Sequence, residues 1–126
     1  MSGRSRKVVA VVDDDPRILE SLQDLLESAD HVVRLHSSAS SLLASGVANI
    51  DCLITDISMP VMDGYELRAR VRQLRPELPV FLISGRRDLT PDRTGDDQGP
   101  TEFFSKPFDG PALLAAIAEV LHEAKE

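Results

Sequence analysis

The sequence predicts an α/β fold, a doubly wound five-stranded parallel sheet with helices on both faces, and three observations predict it. Short apolar runs alternate along the chain with stretches whose apolar residues recur at helical spacing. The first of these runs is apolar throughout rather than at every second residue, which is how a strand covered on both faces reads. Polar residues able to do chemistry stand where four runs end: Asp13-Asp14-Asp15, Asp56, Ser84 and Lys106. Strand and helix in alternation require right-handed crossovers and a three-layer sandwich. Ligands in such sheets bind beyond the carboxyl ends of the strands, so the four stations share one edge.

The elements follow in order. Val8–Val12 is the first strand. Asp15-Pro16 starts a helix, Asp15 as N-cap and Pro16 in the first turn, where a missing N–H costs nothing. Its apolar face is Ile18, Leu19, Leu22, Leu25, Leu26 and Ala29, and Asp30-His31 breaks it. Val32–His36 is the second strand, and Ser37–Ser45 a short Ser-capped helix closed by Gly46. Asp51–Thr55 is the third strand. After the turn signals Met59-Pro60 and Asp63-Gly64, Tyr65–Arg75 is a helix with Leu67, Val71 and Leu74 inward. The arginines at 68, 70, 72 and 75 are expected to form its solvated face. Pro79–Ile83 is the fourth strand, Glu102–Ser105 a short fifth, and Gly110–Glu123 a final helix with Leu113, Leu114, Ile117, Val120 and Leu121 inward.

Composition bounds the function. A chain of 126 residues, 42% hydrophobic, suits one domain; such a domain buries roughly two thirds of its unfolded surface. The domain is expected at residues 7–124, with 1–6 a flexible basic tail. A net charge of −7 argues against direct nucleic-acid binding and against an anionic membrane surface. Cys52 stands in an apolar run and reads as buried filler in a reducing cytoplasm. No run approaches the roughly 18 apolar residues of a membrane span, and the polar start lacks a signal peptide's apolar core. His31, His36 and His122 lack metal-site spacing and are expected at the surface.

Val12-Asp13-Asp14-Asp15-Pro16, Asp56 followed by Met59-Pro60 and Asp63-Gly64, Ser84-Gly85, and Lys106-Pro107-Phe108, in that order, resemble the receiver domains of two-component response regulators. The resemblance runs from Val8 to about Leu121. It implies a flavodoxin-like fold with sheet order 2-1-3-4-5, and Asp56 as acceptor of a phosphoryl group from a histidine kinase or phosphotransfer protein. It further implies Mg²⁺ (or Mn²⁺) on Asp13, Asp14, Asp56 and the Ser58 carbonyl, Lys106 on the phosphoryl oxygens, Ser84 and Phe103 as the switch pair, and a cis peptide before Pro107. Phe103 has no hydroxyl, so it would switch by packing alone. The residue types suit that chemistry: a carboxylate attacking a phosphoryl group needs the charge on both neutralised, and Mg²⁺ takes oxygen ligands.

Taken singly, each station has an ordinary structural reading: a capped connection, a loop carboxylate, a turn, a solvated lysine. Their order and joint chemistry favour a site. One rival is a haloacid-dehalogenase-type phosphatase with Asp13 as nucleophile and Asp15 two residues on, which leaves Asp56 without a role. Another is a receiver-shaped interaction module that is not phosphorylated. The chain departs from the receiver pattern between Gly85 and Glu102, where Leu89 is the only large apolar residue and Gly95 disfavours helix. A short, irregular or disordered fourth helix is expected there, which puts a standard dimer on that face in question and leaves a weak homodimer and a downstream protein partner as expectations. No output domain is read in the chain.

Overall fold

The computed structural model describes residues 7–85, 101–106 and 109–124. Its elements are β1 (Val8–Val12), α1 (Pro16–Ser28), β2 (Val32–His36), α2 (Ala39–Ser45), β3 (Cys52–Asp56), α3 (Gly64–Leu74), β4 (Val80–Ser84), β5 (Thr101–Ser105) and α4 (Gly110–Ala124). The five strands pair in parallel in the order β2-β1-β3-β4-β5, the order that the resemblance implied. The expected tail at 1–6, the irregular segment at 86–100 and the peptide before Pro107 lie outside the described residues.

Alternate strand residues face opposite sides of the sheet, and two cores result. Ala10, Val12, Leu53 and Leu82 pack with Ala39 and Leu42 of α2 and with Leu67 and Val71 of α3. Val9, Val11, Ile54, Phe81 and Ile83 pack with Leu22 and Leu26 of α1 and with Leu113, Ile117 and Leu121 of α4. Cys52 belongs to the second core, and burial pushes its thiol up, out of the reactive range. β2, at the edge, is only partly covered. Among the described residues, no helix is long and apolar enough to cross a membrane.

Local chemistry sets the element ends. Asp15 caps α1 by accepting from the Arg17 N–H at 2.9 Å, with Pro16 in the first turn. Ser38 caps α2 and Asp63 caps α3 in the same way, accepting from Ser41 and Glu66. α1 closes with the paired bonds Asp30 N–H to Glu27 O and His31 N–H to Leu26 O, and Asp30 takes the left-handed conformation this turn needs, φ 72°.

Two expectations are corrected. The α3 arginines are not a uniformly solvated face: Arg68 is 5% exposed. Its guanidinium lies 5.6 Å from the Tyr65 ring centroid, within cation–π range. Arg75 follows the helix and donates through Nη1 to the carbonyls of Val47 and Ile50, closing backbone acceptors in the α2–β3 connection. Leu74, expected inward, is 62% exposed, and fully buried Leu78 completes that apolar stripe from the α3–β4 connection. His31 and His36 lie partly exposed at the surface, His36 Nδ1 2.8 Å from the Ser41 hydroxyl, and the His122 side chain lies outside the described residues.

Val61, in the β3–α3 loop, combines φ 72° with a side chain that is 99% exposed. A β-branched residue is strained there and gains nothing from packing. Val61→Asn is expected to stabilise the domain by about 1 kcal/mol, a rise of several degrees in thermal midpoint. An unchanged or lower midpoint contradicts that reading.

Candidate functional site

β1, β3 and β5 each deliver one residue to the same point at the carboxyl edge of the sheet. Asp13 continues β1 by one rung, its N–H donating to His36 O at 3.1 Å. Its side chain folds back, with Oδ1 accepting from the Asp15 N–H at 2.9 Å. Asp56 is the last residue of β3, one position later than the expected strand end, and is paired in the ladder with Ile83. Lys106 is fixed just past β5 by its N–H donating to Ser84 O at 2.8 Å. The Lys106 ammonium then stands 3.1 Å from Asp13 Oδ2 and 3.2 Å from Asp56 Oδ1.

Burial makes this arrangement costly for charge. Asp13 is 1% and Asp56 4% exposed. Burial raises the pKa of Asp56, the Asp13 charge raises it further, and Lys106 offsets only part of this. Asp13 is raised by burial in the same way, against the opposing Asp15 N–H and Lys106. Burial pulls Lys106 down, but the two carboxylates outweigh it, so its pKa is raised and it remains an ammonium.

Carboxylate oxygens of Asp13, Asp14 and Asp56 lie within 4.8 Å of one another, with Asp14 exposed at the mouth. Asp13 Oδ2 is buried against the Lys106 ammonium. Three carboxylates against one ammonium leave an excess of negative charge in hard oxygen donors, a set that fits Mg²⁺ or Mn²⁺.

The other expected residues are near. Ser84 ends β4 and is buried beside the site, opposite Ser105 in the ladder and one residue beyond the partner of Asp56. Ser58 is exposed two residues after Asp56. Phe103 is half-buried on β5 opposite Leu82, its ring centroid 6.5 Å from that of Tyr65.

Gly64 carries a role that the sequence reading assigned only to a turn. A Cβ there would stand 2.5 Å from Asp56 O and 2.8 Å from Ile57 Cα, and the Gly64 N–H donates to Ile57 O at 2.9 Å. α3 therefore begins in contact with the backbone that carries Asp56. The available signal was a glycine directly after a capping aspartate and ahead of a helical stripe.

Residues 9–118 match the response regulator receiver domain family. The chain belongs to that family. This receiver is 35% identical to the response regulator protein TmoT of Ectopseudomonas mendocina over 120 residues, which covers 94% of this chain and 54% of TmoT. It is 34% identical over 119 residues to the transcriptional regulatory protein FixJ of Azorhizobium caulinodans, covering 94% of this chain and 56% of FixJ. The chain thus spans about half the length of these curated relatives. Among solved structures, a CheY-like receiver domain protein from Methanospirillum hungatei superposes with a TM-score of 0.87 at 30% identity, covering 96% of this chain and 98% of that one. Asp15, which the phosphatase reading needs free, caps α1 and pairs with Arg17 at 3.2 Å.

Two outcomes follow for this receiver. Gly64→Ala is expected to cost about 1–3 kcal/mol, because the new methyl meets fixed backbone, and an unchanged urea midpoint contradicts the close approach. Asp56 and Asp13 have folded pKa values above their unfolded ones, so their contribution to stability is fullest below the unfolded carboxylate pKa and is lost as pH rises through the folded value. Asp56→Asn is therefore expected to raise the thermal midpoint in EDTA near pH 7 by a few degrees, with the gain shrinking toward pH 4. A gain that persists undiminished in acid contradicts this.

Proposed function

We propose that this receiver takes a phosphoryl group from the phosphohistidine of a sensor histidine kinase or phosphotransfer protein onto Asp56, and that Ser84 and Phe103 convert the change into altered partner binding. The observation that carries this reading is the convergence of a buried carboxylate, a lysine 3.2 Å from it and two further carboxylates within 4.8 Å.

Asp56 attacks through a carboxylate oxygen. The bond from phosphorus to the donor imidazole nitrogen breaks, and that nitrogen keeps the electron pair. Lys106, held as an ammonium by its two acidic neighbours, moves its charge toward the phosphoryl oxygens. Asp13, Asp14, Asp56 and the Ser58 carbonyl would hold Mg²⁺ or Mn²⁺, which when bound supplies the positive charge that makes the approach of two anions feasible. Ser84 then hydrogen-bonds a phosphoryl oxygen, and Phe103 repacks. Aspartyl phosphate on this chain is a signal rather than a product released, so the protein acts only on itself.

The setting proposed is cytoplasmic. Relatives named DNA-binding transcriptional regulator NtrC match over 25% of their length in Bradyrhizobium and 24% in Rhizobium meliloti. With a net charge of −7, the receiver itself is proposed to bind a protein target, and at most a weak second copy, rather than nucleic acid.

Incubation with Mg²⁺ and acetyl phosphate, followed by intact-mass analysis, is expected to give one acid-labile phosphoryl adduct, absent in Asp56→Asn and absent without divalent cation. An adduct that survives Asp56→Asn but vanishes in Asp13→Asn would support the phosphatase reading instead, and no adduct at all the non-phosphorylated module. Saturating Mg²⁺ at about 100 times its dissociation constant is expected to stabilise the fold by roughly 2.7 kcal/mol. That shift should be lost in Asp13→Asn and retained in Lys106→Ala; loss in Lys106→Ala comparable to that in Asp13→Asn contradicts the division of roles.

A further inference from the structure

We infer that Tyr65 is the positioning residue for Phe103, and that a change at Asp56 is read at the Tyr65 ring on α3. This rests on the phosphoacceptor reading and names the side chain against which its aromatic switch moves.

The Phe103 and Tyr65 rings lie 6.5 Å apart with their planes tilted by 50°, within the range in which aromatic rings attract. The same Tyr65 ring has the Arg68 guanidinium 5.6 Å from its centroid, one helical turn along α3. Arg68 is 5% exposed, so this cation is held in place by its surroundings rather than swinging in water. Tyr65 is thus tethered to its own helix by a buried cation while its ring meets β5. Phe103 has no hydroxyl with which to fix itself to a hydrogen-bond partner, and its place is set by what it packs against.

Two short backbone routes lead from Asp56 to this ring pair. Tyr65 follows Gly64, where a Cβ would collide with the Asp56 and Ile57 backbone and whose N–H is bound to Ile57 O. Phe103 stands three residues before Lys106, whose ammonium is 3.2 Å from Asp56. Both rings are half-buried and pack on the same core, so either can reorient without opening a cavity in the fully buried layer. A movement of Asp56 or Lys106 reaches the pair from both sides.

Tyr65 is the only tyrosine and the chain has no tryptophan, so its emission reports this position alone. The test uses the full chain with Mg²⁺ and acetyl phosphate, reading intact mass and tyrosine emission on the same samples. In the unaltered chain the adduct is expected to appear together with a change in emission. In Phe103→Leu the adduct should form while more than half of the emission change is lost. Phe104→Leu serves as control, since Phe104 packs on Phe81 in the opposite core and its loss should leave the change intact. No adduct in the unaltered chain sinks the phosphoacceptor reading and this inference with it. An adduct without an emission change sinks this inference alone, as does a change that persists in Phe103→Leu or disappears equally in Phe104→Leu.

Discussion

The structure depends on one unfavourable arrangement, two buried carboxylates held against a single ammonium. Asp13 and Asp56 are both almost excluded from water, and Lys106 lies 3.1 and 3.2 Å from them. Burial opposes ionisation of both acids, and one lysine cannot neutralise two. The arrangement persists because each group sits at the end of a different strand, where ladder hydrogen bonds fix the backbone. Strand order then decides who meets whom: β1 and β3 are neighbours, and β4 lies between β3 and β5, so the lysine must reach back across Ser84. Rigid strands beneath the site supply the stability that the site itself does not.

The helices complete that constraint rather than decorate it. α1 is started by Asp15, which also donates its N–H to Asp13 Oδ1, so the helix cap and the acidic pocket share one turn. α3 starts at Gly64, and only a residue without Cβ lets it press on the Asp56 backbone. The site is bounded by the Gly64 contact on the Asp56 backbone and by the Asp15 N–H on the Asp13 carboxylate. The Gly64 contact cannot be relieved by changing a rotamer, which makes the pocket resistant to drift.

Much of this was legible in the sequence because the physics is local or periodic. The run Val8–Val12, the Asp15-Pro16 start and the five stretches read as strands each carried their own signal, and strand ends placed the four stations together. Boundaries moved by a residue at Asp56 and Ser84, since pairing with a neighbouring strand extends a ladder past the last apolar residue. The α3 arginines were misread for a different reason. Charge predicts exposure only when no aromatic face or orphan carbonyl lies within reach: Tyr65 stands one helical turn before Arg68, a local contact open to a sequence reading, whereas the Val47 and Ile50 carbonyls are brought to Arg75 by tertiary structure. The contact of Gly64 with Asp56 is likewise tertiary, and a turn signal alone could not disclose it.

The two faces of the sheet are built alike, each with a fully buried inner layer and a half-buried rim. On the α1/α4 side the strands contribute Val9, Val11, Ile54, Phe81 and Ile83, all fully buried or nearly so. On the α2/α3 side the strands contribute Ala10, Val12, Leu53 and Leu82, equally buried, and Met59 and Met62 of the loop after Asp56 belong with Tyr65 and Phe103 to its half-buried rim. Methionine is flexible and fills irregular space, and a half-buried ring has somewhere to go. A fully packed layer transmits strain but does not rearrange, whereas a rim of adaptable side chains has more than one packing of similar energy. The loop that carries Ser58 gives its methionines to the rim of the α2/α3 side, where Phe103 also lies, while Phe104 of the same strand packs on the other side. The fully buried strand layer is therefore the frame on both sides of the sheet, and the side chains with room to change packing are those of the half-buried rims.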